Sequence, residues 1–174
     1  GLLIATHRSK SLLSSLENLM VESDNLTAEL LVKMIGYESV KNQGNWQNGL
    51  FAMKNFMNDD IGIDTTTFSL SDGSGVSRYN YSSPSNFTDL LVWAYNNPKI
   101  KDNFLEILST SNNKGTLKDR NLPKGVYAKT GSSFLFSITC AHLKPNSYSI
   151  LSPFFVASPI IVETDSPGNT NGSL

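Results

Sequence analysis

The sequence predicts an α/β (α+β) chain in which helices come first and short strands follow, and three observations lead to that class. Apolar residues recur at three- and four-residue intervals in successive stretches between residues 10 and 108, the spacing of one buried helix face. β-branched and aromatic residues gather instead at 65–70, 126–139 and 148–156, as half-buried strands require. Between these stretches lie clusters of Gly, Asn, Asp, Ser and Pro that punctuate the backbone.

Taken in order, Leu12, Leu13, Leu16, Leu19 and Met20 mark a first helix from Lys10 that ends near Val21-Glu22. Ser23 or Asp24 caps a second, in which Leu26, Leu30, Leu31, Met34 and Ile35 form the buried stripe and Gly36 ends the run. After the polar Asn42-Gln43-Gly44-Asn45, a third helical pattern carries Trp46, Leu50, Met53, Phe56 and Met57. Residues 65–70 read as a strand, and 71–80, with Gly73 and Gly75, as a shaped loop. Pro84 opens a fourth helix with Phe87, Leu90, Leu91, Trp93 and Ala94 facing inward, closed by Asn96-Asn97-Pro98. Phe104, Leu105, Ile107 and Leu108 make a short fifth. Val126-Tyr127 lead a strand into Ala128-Lys129-Thr130-Gly131-Ser132, and 133–139 and 148–156 read as strands joined by a turn at Lys144-Pro145-Asn146-Ser147. The end, 164–174, is Ser, Gly, Asn, Thr and Pro with almost nothing apolar, the composition of a flexible tail.

At 174 residues the chain is one domain or a piece of a larger one. Its net charge of -1, with Lys and Arg scattered, excludes a nucleic-acid binder, which needs a basic surface to neutralise phosphates. The apolar run at 150–162 is broken by Ser152, Pro153 and Pro159 and is too short to span a bilayer, so the chain reads as soluble. No basic segment with an apolar stretch behind it opens the sequence, so no signal peptide is visible, and the start reads like the middle of a domain. Cys140 has no partner for an internal disulfide and reads as a small buried apolar residue. His7 reads as surface or packing; with His142 as the other histidine, no metal site and no cofactor are expected. Trp46, Trp93 and the Phe and Leu stripes are assigned to core.

Acyl transfer from a peptide with a free terminal carboxylate needs a nucleophile, a proton shuttle, an oxyanion site and a cation for the carboxylate. Lys129 and the Thr130 hydroxyl meet the last need, and Gly131 and Ser132 continue the same strand edge, with the Ser132 N–H as an oxyanion donor. The Ser23 hydroxyl is suited to relay a proton to the departing amine, with help from Lys129 if the two meet across a cleft. Asn25 carries donor and acceptor atoms for a peptide amide. Each has a plainer reading. Ser23-Asp24-Asn25 is an ordinary helix cap, Lys129 a surface lysine on an edge strand, and Asp72-Gly73-Ser74-Gly75 a turn.

The ordered set of motifs is less easily put down to coincidence. His7-Arg8-Ser9, Ser23-Asp24-Asn25-Leu26 with Ala28-Glu29, Asp72-Gly73-Ser74-Gly75-Val76-Ser77-Arg78-Tyr79-Asn80, Gly115-Thr116-Leu117 with Arg120, and Ala128-Lys129-Thr130-Gly131-Ser132 follow one another, with Ser23 and Lys129 106 positions apart. Over residues 6–132 the chain resembles the C-terminal part of the D-Ala-D-Ala carboxypeptidase/endopeptidase family, the class C low-molecular-mass penicillin-binding proteins. Ser-Asp-Asn and Lys-Thr-Gly are two of the three short elements such enzymes use; the third is Ser-x-x-Lys. The chain holds one Ser-x-x-Lys, Ser111-Asn112-Asn113-Lys114, in a polar stretch rather than on an amphipathic helix, and it reads as chance.

The resemblance implies a penicillin-recognising DD-peptidase/β-lactamase-like fold, partial here, with helices packed on an antiparallel sheet. It assigns Ser23, Asn25 and Lys129 to catalysis and Thr130, Gly131 and Ser132 to substrate binding, with no metal. It implies a serine-type D-Ala-D-Ala carboxypeptidase/endopeptidase that acts on peptidoglycan stem peptides through an acyl-enzyme, takes β-lactams as inhibitors, and works in the periplasm or outside the cell. The nucleophile is absent from this chain, which alone is expected to be inactive. The alternative is a non-catalytic remnant that serves as a structural or peptidoglycan-binding module. Residues 1–163 form the C-terminal part of the peptidase domain on this reading, with 133–163 divergent from the family and 164–174 a tail; the oligomeric state stays open.

Overall fold

Among the described residues are five helices, and the first four begin where a side chain replaces the hydrogen bonds that a first turn lacks. The computed structural model describes residues 3–110, 115, 118, 127–129, 131–132, 137–138, 140–144, 147–151 and 162–163, with side chains as far as Lys129. Helix α1 (Leu12–Glu22) is capped by Ser11, whose hydroxyl accepts from the Ser14 N–H at 3.2 Å. Helix α2 (Asn25–Val40) is capped by Asp24, and α3 (Trp46–Asp59) by Asn45, which accepts from the Asn48 N–H at 2.8 Å. Helix α4 (Pro84–Asn96) is capped by Ser83 with proline in its first turn, where the missing N–H costs nothing. The short α5 (Lys101–Ile107) follows.

The second helix departs from its expected form in two ways. Gly36 does not end it: the helix runs one more turn to Val40 and stops at Lys41, which turns left-handed at φ 51. Nor is the apolar stripe its buried face, since Leu26, Leu30, Met34 and Ile35 are all exposed while Val32 and Gly36 are buried. The cause is the crossing with α3. A Cβ on Gly36 would lie 2.8 Å from the Asn45 carbonyl oxygen and from the Gly49 nitrogen, and one on Gly49 would overlap the backbone of Val32. The two helices touch through their smallest residues, so the large ones lie elsewhere.

Trp46 likewise is not core. It is half exposed, its indole N–H donates to Glu29 at 2.7 Å, and the Lys33 ammonium sits 4.1 Å from the ring centroid. Trp93 is partly buried and packs edge-to-face on Phe56, itself exposed, with ring centroids 5.1 Å apart. In α4, Phe87 is exposed, and its neighbours Asn86 and Thr88 are buried instead. The Asn86 side-chain amide donates to the Thr67 hydroxyl at 3.0 Å and to the Ser82 hydroxyl at 3.1 Å, so a polar residue ties the start of α4 to the strands before it.

Those strands are β1 (Phe68–Ser69) and β2 (Tyr81–Ser82), an antiparallel pair around loop 71–80. The strand expected at 65–70 is shortened because Asp64 folds the chain into a turn, accepting from the Thr66 N–H at 2.8 Å through its side chain and from the Thr67 N–H at 3.0 Å through its carbonyl. Further on, β3 (Ser109–Thr110) pairs with β4 (Tyr127–Ala128), and β5 (Gly131–Ser132) with β6 (Ser137–Ile138). The last group is β7 (Cys140–Lys144), β8 (Ser147–Leu151) and β9 (Val162–Glu163), all antiparallel. Lys144 faces Ser147 in this register, β6 lies within the strand expected at 133–139, and β8 overlaps the one expected at 148–156; Pro145 and Asn146 of the expected turn lie outside the described parts. The tail at 164–174, the Ser111–Lys114 stretch and the Cys140 side chain lie outside the described parts.

Leu91 of α4 and Leu108 are buried together, with Met20, Val92, Tyr95, Phe104, Leu105 and Tyr127 packed on them. This cluster takes one residue from the end of α1 and one from β4. Ser23 leaves it three residues beyond Met20, and Lys129 two beyond Tyr127. Both are carried to the same edge of the core. Among the described residues no helix is long and apolar enough to cross a membrane.

Candidate active site

Ser23 lies between two helices in the left-handed conformation, at φ 59 and ψ 47. A non-glycine residue there is strained by about 1 kcal/mol or more, and the neighbouring Asp24 holds the turn from its far side. The Asp24 carboxylate accepts from the Leu26 and Thr27 N–H groups, each at 3.2 Å, and from the Thr27 hydroxyl. That hydroxyl first, and the backbone N–H groups with it, hold the Asp24 carboxyl below its ordinary value. So the capping and site readings of Ser-Asp-Asn apply to different residues. Asp24 is used up by the helix, while Ser23 and Asn25 are exposed.

Lys129 follows Ala128, which is fully buried and paired with Ser109 of β3. With its strand so fixed, the side chain reaches across the edge of the core and its ammonium donates to the Ser23 hydroxyl oxygen at 2.9 Å. The lysine is half-buried, and burial pushes its pKa down by disfavouring the charged form. The pair thus joins a hydroxyl to an amine that gives up its proton more readily than an exposed lysine does. Gly131 and Ser132 continue on β5, facing Ile138 and Ser137 respectively. Thr130 and the Ser132 side chain lie outside the described parts.

Against α2 at Ala28, Glu29 and Val32, loop 71–80 is built around two side chains. The Asp72 carboxylate accepts from the Gly75 N–H at 2.7 Å, the Ser77 N–H at 2.6 Å and the Asn80 amide at 2.6 Å. The Asn80 carbonyl oxygen accepts from the Ser71 N–H at 2.7 Å. Glu29 then joins the loop to α2, accepting from the Gly73 N–H at 3.2 Å and the Ser74 N–H at 3.0 Å while it also holds Trp46. Burial pushes the Glu29 carboxyl up, but the bonds from Ser74, Trp46 and Gly73 together outweigh it and leave the group below its ordinary value. Sequence reasoning gave Glu29 no role of its own. Its position four residues after Asn25, on the same helix face, was the signal.

A shallow apolar groove lined by Leu30, Lys33, Met34, Tyr37 and Glu38 runs along α2 and shares no residue with the Ser23–Lys129 pair. Among the described residues no group of three or more His, Cys, Asp or Glu could hold a metal ion.

The chain is similar to known proteins in sequence and in fold. The chain is 33% identical over 138 residues to the D-alanyl-D-alanine carboxypeptidase DacB of Haemophilus influenzae, covering 76% of this chain and 28% of that protein. It is 38% identical over 95 residues to the D-alanyl-D-alanine carboxypeptidase of Actinomadura sp. (strain R39), covering 55% of this chain and 17% of that one. The structure superposes on crystal structures of penicillin binding protein 4 (dacB) from Haemophilus influenzae, one of them complexed with a β-lactam. For the complex the TM-score is 0.60 at 28% identity, covering 80% of this chain and 30% of the other. The fold is therefore the penicillin-recognising one, with helices and small antiparallel sheets. The chain spans less than a third of the length of these relatives. Residues 1–134 match the family model, and the chain belongs to the D-Ala-D-Ala carboxypeptidase 3 (S13) family.

Proposed function

We propose that this chain forms part of a serine-type D-Ala-D-Ala carboxypeptidase/endopeptidase that acts on peptidoglycan stem peptides in the periplasm or outside the cell. The observation that carries the reading is the 2.9 Å bond from Lys129 to Ser23, made across 106 positions of sequence. Two elements that a plain helix cap and a plain edge lysine have no reason to join are joined.

On this reading a serine hydroxyl from a Ser-x-x-Lys element outside these 174 residues attacks the carbonyl of the penultimate D-alanine and gives up its proton to the lysine amine of that element. The amide bond breaks, the acyl group stays on the serine as an ester, and terminal D-alanine leaves as the amine. Ser23 passes that amine its proton and regains one through Lys129, whose burial eases the exchange. Lys129 and Thr130 hold the terminal carboxylate, Asn25 a peptide amide, and Gly131 and Ser132 the strand edge along which the peptide lies. Water then hydrolyses the ester. A β-lactam enters the same way, but its ring amine stays tethered.

The test is labelling by a fluorescent penicillin, of this chain and of a longer protein that includes Ser-x-x-Lys. Labelling of the longer form alone, reduced on the order of 10³-fold in Lys129→Ala, is the expected result. A longer form that folds, stays unlabelled and releases no D-alanine from an N-acylated D-Ala-D-Ala peptide makes the protein a non-catalytic remnant.

A further inference from the structure

We infer that Glu29 is a positioning residue that seats loop 71–80 as a wall of the substrate cleft, and this rests on the peptidase reading above. Asn25 and Glu29 share a face of α2 one turn apart, about 6 Å along the axis. The Glu29 carboxylate accepts from two successive backbone N–H groups of the loop, those of Gly73 and Ser74, and its remaining reach goes to the Trp46 indole at the start of α3. Three elements are joined at one side chain.

The fit is close. A Cβ on Gly73 would lie 2.6 Å from a Val32 methyl and 2.7 Å from the Ala28 carbonyl oxygen, so the loop backbone rests directly on α2. Within the loop, Asp72 and Asn80 have already tied five donors together, those of Gly75, Ser77, Asn80, Ser71 and Asp72. Such a loop moves as a unit. Where that unit sits relative to Asn25 is decided by the bonds to Glu29 and by the absence of a side chain at Gly73. A wall of this kind meets ground state and transition state alike, so its displacement raises KM and leaves kcat.

The experiment uses the full-length protein with Glu29→Gln, Gly73→Ala and the double variant, each checked for helical circular dichroism. D-alanine release from an N-acylated D-Ala-D-Ala peptide gives KM and kcat, and amide exchange reports on Gly73 and Ser74. Each single variant is expected to raise KM about tenfold with kcat within about twofold, and to speed exchange of both amides. The double variant is expected to be no worse than either single one, because both move the same unit. An unchanged KM in Glu29→Gln, or unchanged exchange, overturns the inference while the peptidase reading stands. Effects that multiply and pull kcat down with them also overturn it, since general weakening of the fold does that. A wild-type protein that releases no D-alanine overturns the peptidase reading and this inference together.

Discussion

Ser23 combines two demands that normally exclude each other. Its backbone occupies a conformation in which glycine is preferred, yet its hydroxyl lies 2.9 Å from the Lys129 ammonium. A glycine here would relax the turn and lose the bond. We therefore expect Ser23→Gly to be more stable than Ser23→Ala by about 1 kcal/mol in urea unfolding, because both lose the hydroxyl and only alanine keeps the strain. Equal stabilities would show that the left-handed turn carries no strain. The motif was plain in the sequence. The division of labour within it was not, because Ser, Asp and Asn are equally good caps on paper and only the observed bonds give that task to Asp24.

At the scale of elements, the crossing of α2 and α3 decides where the loop and Trp46 sit. Gly36 and Gly49 face each other closely enough that neither can take a side chain without displacing backbone. Gly49→Ala sets two effects in opposition. Alanine favours the helix by about 1 kcal/mol, while forcing a methyl into a filled contact costs typically 1–3 kcal/mol. The overlap at Gly49 is with the Val32 backbone, which cannot rotate away, so we expect net destabilisation of about 1–2 kcal/mol. A stability gain on urea unfolding would mean that the helices separate easily. Hydrophobic periodicity found α2 but misread its buried face, because counting large apolar residues gives no weight to a contact made by glycines.

Across the whole molecule, carboxylates with lowered pKa values hold separate joints: Asp24 the start of α2, Asp64 the turn before β1, and Glu29 the seat of loop 71–80. For each, the folded form binds its proton less tightly than the unfolded chain does. The stability they add is complete above the ordinary carboxylate range and is lost as pH falls through the lowered values. We expect the urea midpoint to hold steady from neutrality down to that range and then to fall, with a shallower fall in Glu29→Gln. The same fall in the variant would remove Glu29 from the account. Asp24 and Asp64 are open to solvent, so salt weakens their share.

The sequence by itself determined the helix order, the loop at 71–80 and the two motifs, because each depends on residues within a few positions of one another. Family membership was legible for the same reason, as a series of short motifs in a set order. Only the tertiary structure decided that Ser23 and Lys129 touch, that Leu26, Leu30 and Met34 are exposed on α2, and that Glu29 anchors the loop. Those outcomes depend on how closely helices cross and on which core the ends of α1 and β4 share. Such distances are set by packing between residues far apart in the chain, which a local pattern does not record.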